Sequence, residues 1–122
     1  MPRQRPAANG ARLSIRVDLG TGLRIGPGKV ALLEAIGATG SISGAARSLG
    51  MSYKRAWDLV EELNSGCQQP VVSASPGGRD GGGTRLTETG DRLIHLYREI
   101  ERMASHASRL QIRALDRMTP AG

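Results

Sequence analysis

Phenylalanine is absent from these 122 residues, and the whole aromatic complement is Tyr53, Trp57 and Tyr97. A chain so poor in large rings must build its core from aliphatic side chains and small contact residues. Cys67 is the one cysteine and closes no internal disulfide; with His95 and His106 the only histidines, no Cys/His cluster is spaced for zinc. No run of eighteen apolar residues occurs, and the opening MPRQRPAANGAR lacks the apolar stretch of a secretory signal. A cytoplasmic protein with no membrane partner, no metal and no cofactor is expected. Its 122 residues suit one domain with a modest core.

Acidic residues are also in deficit. Seventeen Lys and Arg stand against eleven Asp and Glu, for a net charge of +6. All the cations but Lys29 and Lys54 are arginine, whose planar fork matches phosphate or guanine. The same balance serves solubility, so charge favours a polyanionic partner without assigning one.

Residues 1–11, rich in Pro and Arg without periodicity, are expected to be a disordered basic tail, and 12–118 to be the domain. Within RLSIRVDL, Leu13, Ile15, Val17 and Leu19 alternate with polar residues, which predicts a half-buried strand over Arg12 to Leu19. Gly20, Gly22 and Gly26 break the chain, and Pro27 opens a helix to about Ala38 with Val30, Leu33 and Ile36 inward. Ser41 caps a second helix that Gly50 closes, and Ser52 caps a third almost at once, running over 52–64. Projected on a wheel, Tyr53, Ala56, Trp57, Val60 and Leu63 form its packing face, with Lys54, Arg55, Asp58, Glu61 and Glu62 outward. PVVSAS and TRLT are two short strands around the glycine-rich PGGRDGGG, a hairpin of the kind called a wing. A long last helix spans 88–117. Its Leu96, Ile100, Met103, Ala107 and Leu110 recur in alternating steps of four and three, with Leu93, Tyr97 and Ala104 beside them, a seam that seeks a partner helix. The fold class is mainly α, a winged helix-turn-helix in the order β-α-α-α-β-β-α.

GSIS, then SYKRAWD, then GGRDGGGTRLTETGDRLIHLY resemble the N-terminal DNA-binding domain of the molybdate-responsive ModE family of transcription regulators, over roughly Leu13 to Glu101. The resemblance implies a winged helix-turn-helix distantly similar to that of LysR-type regulators, dimerising through its last helix. It further implies Ser52 to Asp58 as the start of a recognition helix and Gly77 to Gly83 as the wing. Members that sense molybdate carry molybdate-binding domains after this one. The chain ends at Gly122, so it is expected to lack that domain, and a separate effector-sensing protein is one possible source of the signal.

Lys54 and Arg55 open the third helix, where cations reach guanine acceptors or phosphates; Asp58 can hold either side chain or accept from a cytosine amino group. Ser41, Ser43 and Ser52 lie at helix starts, where hydroxyls and free N–H groups meet phosphate, although capping explains Ser41 and Ser52 equally well. Tyr53 and Trp57 are expected in the core, with the Tyr53 hydroxyl within reach of a phosphate. Arg79 at the wing tip and Arg85 at its base are further DNA-contact candidates. The expectation is a sequence-specific regulator that binds double-stranded DNA as a homodimer on a partly palindromic site, the dimer held by Leu93, Leu96, Tyr97, Ile100, Met103, Ala107 and Leu110. The alternatives are an architectural DNA-binding protein or an adaptor using the C-terminal helix. An enzyme is not expected: GGRDGGGT has neither a P-loop ending nor a Rossmann fingerprint, and no nucleophile stands beside a base.

Overall fold

The computed structural model describes residues 10–75 and 83–121. Burial alternates along Leu13, Ile15 and Val17 as the sequence pattern requires, but the ladder is far shorter than Arg12 to Leu19. It is limited to β1 (Val17–Asp18), antiparallel to β2 (Arg24–Ile25) with Val17 opposite Ile25. The cause is the partner: the chain turns at Leu19 to Leu23 and reaches Pro27 four residues later, so β2 has no length to offer the residues before Val17. Leu19 falls in that turn and is exposed. β2 itself, two residues long, is too short to carry a period that sequence could reveal.

Pro27 then starts α1 (Pro27–Thr39), which buries Val30, Leu32, Leu33 and Ile36 and ends at Gly40. α2 (Ile42–Leu49) is capped by the Ser41 hydroxyl, which accepts from the Gly44 N–H at 2.8 Å. Gly50 closes it in the left-handed region at φ 69°, a conformation that costs a residue without Cβ little. α3 (Tyr53–Gly66) follows after two residues, and small Ala45, Ala46 and Ala56, all buried, let α2 and α3 lie close. The hairpin is β3 (Val72–Ser75) with β4 (Gly83–Leu86), antiparallel, Val72 opposite Leu86 and Ser75 opposite Gly83. α4 (Glu88–Ala107) is capped by Thr87 and carries Glu88 and Asp91 in its first turn, where the helix dipole favours them.

The single helix expected over 88–117 is interrupted at Ser108, after which α5 (Arg109–Arg117) runs on. The Ser108 hydroxyl donates to the Ala104 carbonyl at 2.6 Å, competing with the backbone for that acceptor, and such back-bonding bends a helix.

One aliphatic core joins Leu23 and Ile25 through the three consecutive helices to Val71, Val72 and Tyr97. Tyr97 departs from its place beside the intermolecular seam: it is 2% exposed, and its hydroxyl donates to the Ile15 carbonyl at 2.6 Å. With so few rings in the chain, this one is used to fasten the N-terminal segment to α4. Next to it Arg98 donates to both carboxylate oxygens of Glu34, at 2.8 and 3.1 Å, and to Glu101 at 2.8 Å, tying α4 to α1. No helix of the described residues is long and apolar enough to cross a membrane.

Candidate nucleic-acid interface

Ser52 sits outside α3 in an extended conformation and its hydroxyl accepts from the Arg55 N–H at 3.0 Å. The cap is thus occupied by the helix's own backbone, as is that of Ser41; Ser43 stands free of such a bond, exposed in the first turn of α2. Beyond the cap, Lys54 lies at the centre of the outward face. Its side chain is 84% exposed and its Nζ reaches Asp58 Oδ2 at 3.1 Å, one turn on. Arg55 is exposed on the flank of that face, and Glu62, on the same flank, pairs with Lys29 of α1 at 3.2 Å.

The charge order of α3 runs against its dipole. No acid occupies the first turn and no base the last, whereas two cations open the helix and Glu61 and Glu62 close its outward side. Each such placement costs a few tenths of a kcal/mol up to about 1 kcal/mol. Among the described residues no acid pairs with Arg55 to recover that cost, and the Asp58 pair offsets it for Lys54 in part. An anion brought to this end of α3 would recover it.

The packing face of α3 is rotated from the one expected. Ala56, Leu59, Val60 and Leu63 are buried, whereas Tyr53 is 55% and Trp57 44% exposed. Close approach of α2 leaves room for alanine rather than for rings on that side, and the buried arc takes in Leu59 on its far edge and leaves Trp57 outside. The wheel signal was present: centring the apolar arc on Ala56 and Leu63 instead of on the aromatics would have put Leu59 inside and Trp57 outside.

Two anchors that sequence reading missed hold the hairpin to α3 and to the link between α1 and α2. Asn64 Oδ1, late in α3, accepts from Val71 N at 2.8 Å and Val72 N at 3.3 Å, and its Nδ2 donates to the Val72 carbonyl at 3.4 Å. Thr84 N donates to the Gly40 carbonyl at 2.9 Å, between α1 and α2. The root of the hairpin is therefore fixed to α3 through Asn64, and β4 to the link between α1 and α2 through Thr84. Arg85 lies exposed on β4, opposite Ser73. Arg79, expected at the wing tip, lies outside the described residues, as do Arg3 and Arg5 of the tail. Cys67 caps the end of α3 as a half-buried thiol whose pKa is pushed up by that burial, which disfavours the reactive thiolate.

On α4 and α5 the apolar seam residues divide. Leu93 is half-buried against the core, while Leu96, Ile100, Met103, Ala107 and Leu110 are exposed, Met103 by 62%. Leu115 and Met118 extend the uncovered surface, and α5 buries none of its residues.

The chain is similar to several curated proteins. Among them are the molybdenum-pterin-binding protein MopB of Rhodobacter capsulatus, 57% identical over 66% of this chain and 30% of that protein; the molybdenum transport protein ModE of Azotobacter vinelandii, 44% identical over 75% and 33%; and the DNA-binding transcriptional dual regulator ModE of Escherichia coli K12, 40% identical over 71% and 33%. The chain thus spans about a third of the length of these relatives. Its fold is that of two solved structures. The crystal structure of the CbnR_DBD-DNA complex aligns with a TM-score of 0.56 at 20% identity, over 71% of this chain and 94% of that one. Full-length LysG of Corynebacterium glutamicum with bound effector Arg gives 0.54 at 21% identity, over 79% and 31%. Both likenesses bear out the winged helix-turn-helix architecture. Residues 28–91, from the start of α1 into α4, match the model of the bacterial regulatory helix-turn-helix protein, lysR family, and the chain belongs to that family.

Proposed function

We propose that this chain is a sequence-specific, double-stranded DNA-binding transcriptional regulator of the ModE type, acting as a homodimer. The observation that carries the reading is the pair of exposed cations, Lys54 and Arg55, held at the first turn of α3 against the helix dipole. In the major groove that turn would present Arg55 to guanine O6 and N7 and Lys54 to a base acceptor or phosphate, with Asp58 holding Lys54 in place. Ser43 would donate to a phosphate, and the uncapped N–H groups at the starts of α2 and α3 would meet backbone oxygens. Arg85, with Arg79 ahead of it, would follow the backbone along the hairpin. A combination of donors with an acceptor favours base reading over purely architectural binding, which needs donors alone.

Leu96, Ile100, Met103 and Ala107 of α4, with Leu110 of α5, would pair with their copies and set the two α3 helices one DNA turn apart, about 34–36 Å, or a multiple of it. The names of the relatives connect them with molybdenum, so a molybdenum-linked regulon is the first to test. Selection of bound sites from genomic fragments, with and without molybdate, tests site preference and effector response together. Arg55→Ala is expected to lower affinity by about 1–3 kcal/mol and to relax choice at one base position in each half-site. An unchanged selection from a randomised duplex pool would remove Arg55 from the base-reading role.

A further inference from the structure

Tyr53 and Trp57 stand one turn apart on α3, half exposed, on a helix whose other outward positions are mostly charged. Neither belongs to the core, which Ala56, Leu59, Val60 and Leu63 supply. Asn64 lies about three turns beyond Tyr53 and two beyond Trp57, and so on their side of the helix. Asn64 is also the residue bonded to Val71 and Val72 at the root of the hairpin. The aromatic pair consequently occupies the flank of α3 that faces the hairpin, with Lys54 at the centre of the outward face and Arg55 on the opposite flank beside the Lys29–Glu62 pair.

A helix in the major groove and a hairpin over the neighbouring minor groove have one sugar–phosphate strand between them. The geometry points to Trp57, with Tyr53, as the contact for that strand. The inference rests on the DNA-binding reading above and gives a role to Trp57, which that reading leaves without one. Phosphate oxygens only accept, and the indole Nε1–H only donates, while the faces of the deoxyribose are apolar enough to lie against a ring. The Tyr53 hydroxyl adds a second neutral donor one turn nearer the cap. Neither residue carries charge, so the contact would hold the helix in register without adding to the salt dependence.

Trp57 is the single tryptophan of the chain, so its emission reports on this contact alone. The full chain is titrated with a duplex enriched from a random pool and with a scrambled duplex, at several salt concentrations. Emission should change on both duplexes. Trp57→Phe, with unchanged circular dichroism, should weaken both by a similar factor of about ten, and Tyr53→Phe by a smaller one. In each variant the log–log salt slope should match the wild type, because no cation is removed. Wild-type protein that binds duplex with unchanged emission, and equally well after Trp57→Phe, overturns the inference and leaves the DNA reading standing. A loss confined to the enriched duplex overturns the backbone assignment in favour of base contact. Failure of wild-type protein to bind either duplex takes down the DNA reading, and this inference with it.

Discussion

At the scale of single residues, the side chains with the strongest individual geometry are those that tie distant parts of the chain together. Arg98 is the clearest: three hydrogen bonds to Glu34 and Glu101 fix its guanidinium, and those bonds raise its pKa above the usual arginine value. The same contact, the Arg98 hydrogen bond first and its charge second, holds the Glu34 carboxyl below its ordinary 4.5 against a partial burial that opposes the shift. A carboxyl with a folded-state pKa lower than its unfolded one contributes stability that is complete above the unfolded value and disappears as pH falls through the folded one. Glu34→Gln should therefore flatten the acid side of the stability profile below about pH 4.5. Both side chains are more than a third exposed, so the difference at neutral pH should stay under about 1 kcal/mol. Urea midpoints of wild type and variant between about pH 7 and about pH 3 measure it; parallel acid limbs would mean that the pair does not differ between folded and unfolded states.

Among elements, the junction of β3, β4 and α4 is the tightest. Thr87 N donates to the Val71 carbonyl at 3.0 Å, its hydroxyl donates to the Pro70 carbonyl at 2.6 Å, and the same hydroxyl accepts from Gly90 N at 3.0 Å. Gly90 is buried there, and a Cβ added to it would run into the Val71 carbonyl. Backbone is the obstacle rather than a flexible side chain, so the strand and the helix would have to separate. Gly90→Ala is expected to destabilise the fold by about 1–3 kcal/mol despite alanine's better helix propensity. Thermal unfolding reads the effect, and a variant as stable as the wild type would show that the first turn of α4 can move without cost. Separation at this point would also shift the root of the hairpin, which Asn64 connects to α3.

For the whole molecule, most of the exposed large apolar side chains among the described residues lie along α4 and α5 and just beyond: Leu96, Ile100, Met103, Leu110, Leu115 and Met118. Met103 is 62% exposed in the middle of them, so a charge there leaves the protomer's own core untouched. Met103→Glu is expected to convert the proposed homodimer to monomers, seen by light scattering, with the circular dichroism of the folded chain retained. A dimer that survives would place the interface elsewhere. Monomers would also lose the joint binding of two half-sites, since the second α3 would no longer be delivered at a fixed spacing. With about six phosphates neutralised per dimer, the log–log salt slope of the wild type should be near −5.

Much of this architecture could be read from local sequence. The three helices of the core, the serine caps of α2 and α3 and the glycine at φ 69° follow from patterns of a few residues, because capping and left-handed turns are decided by neighbours in the chain. The strand expected over Arg12 to Leu19 shrank because ladder length is a property of two segments, and its partner is two residues long. Tyr97 and Trp57 exchanged the roles expected of them for a related reason. A wheel shows which residues share a face but not which face its neighbours will cover; the core took Ala56, Leu59, Val60 and Leu63 and left Trp57 outside, while the N-terminal segment covered Tyr97. Local sequence determined where the three core helices begin and which charges open α3. Tertiary packing decided which aromatic is buried and which is presented, because burial depends on the volume that other elements leave, and no stretch of sequence contains that volume.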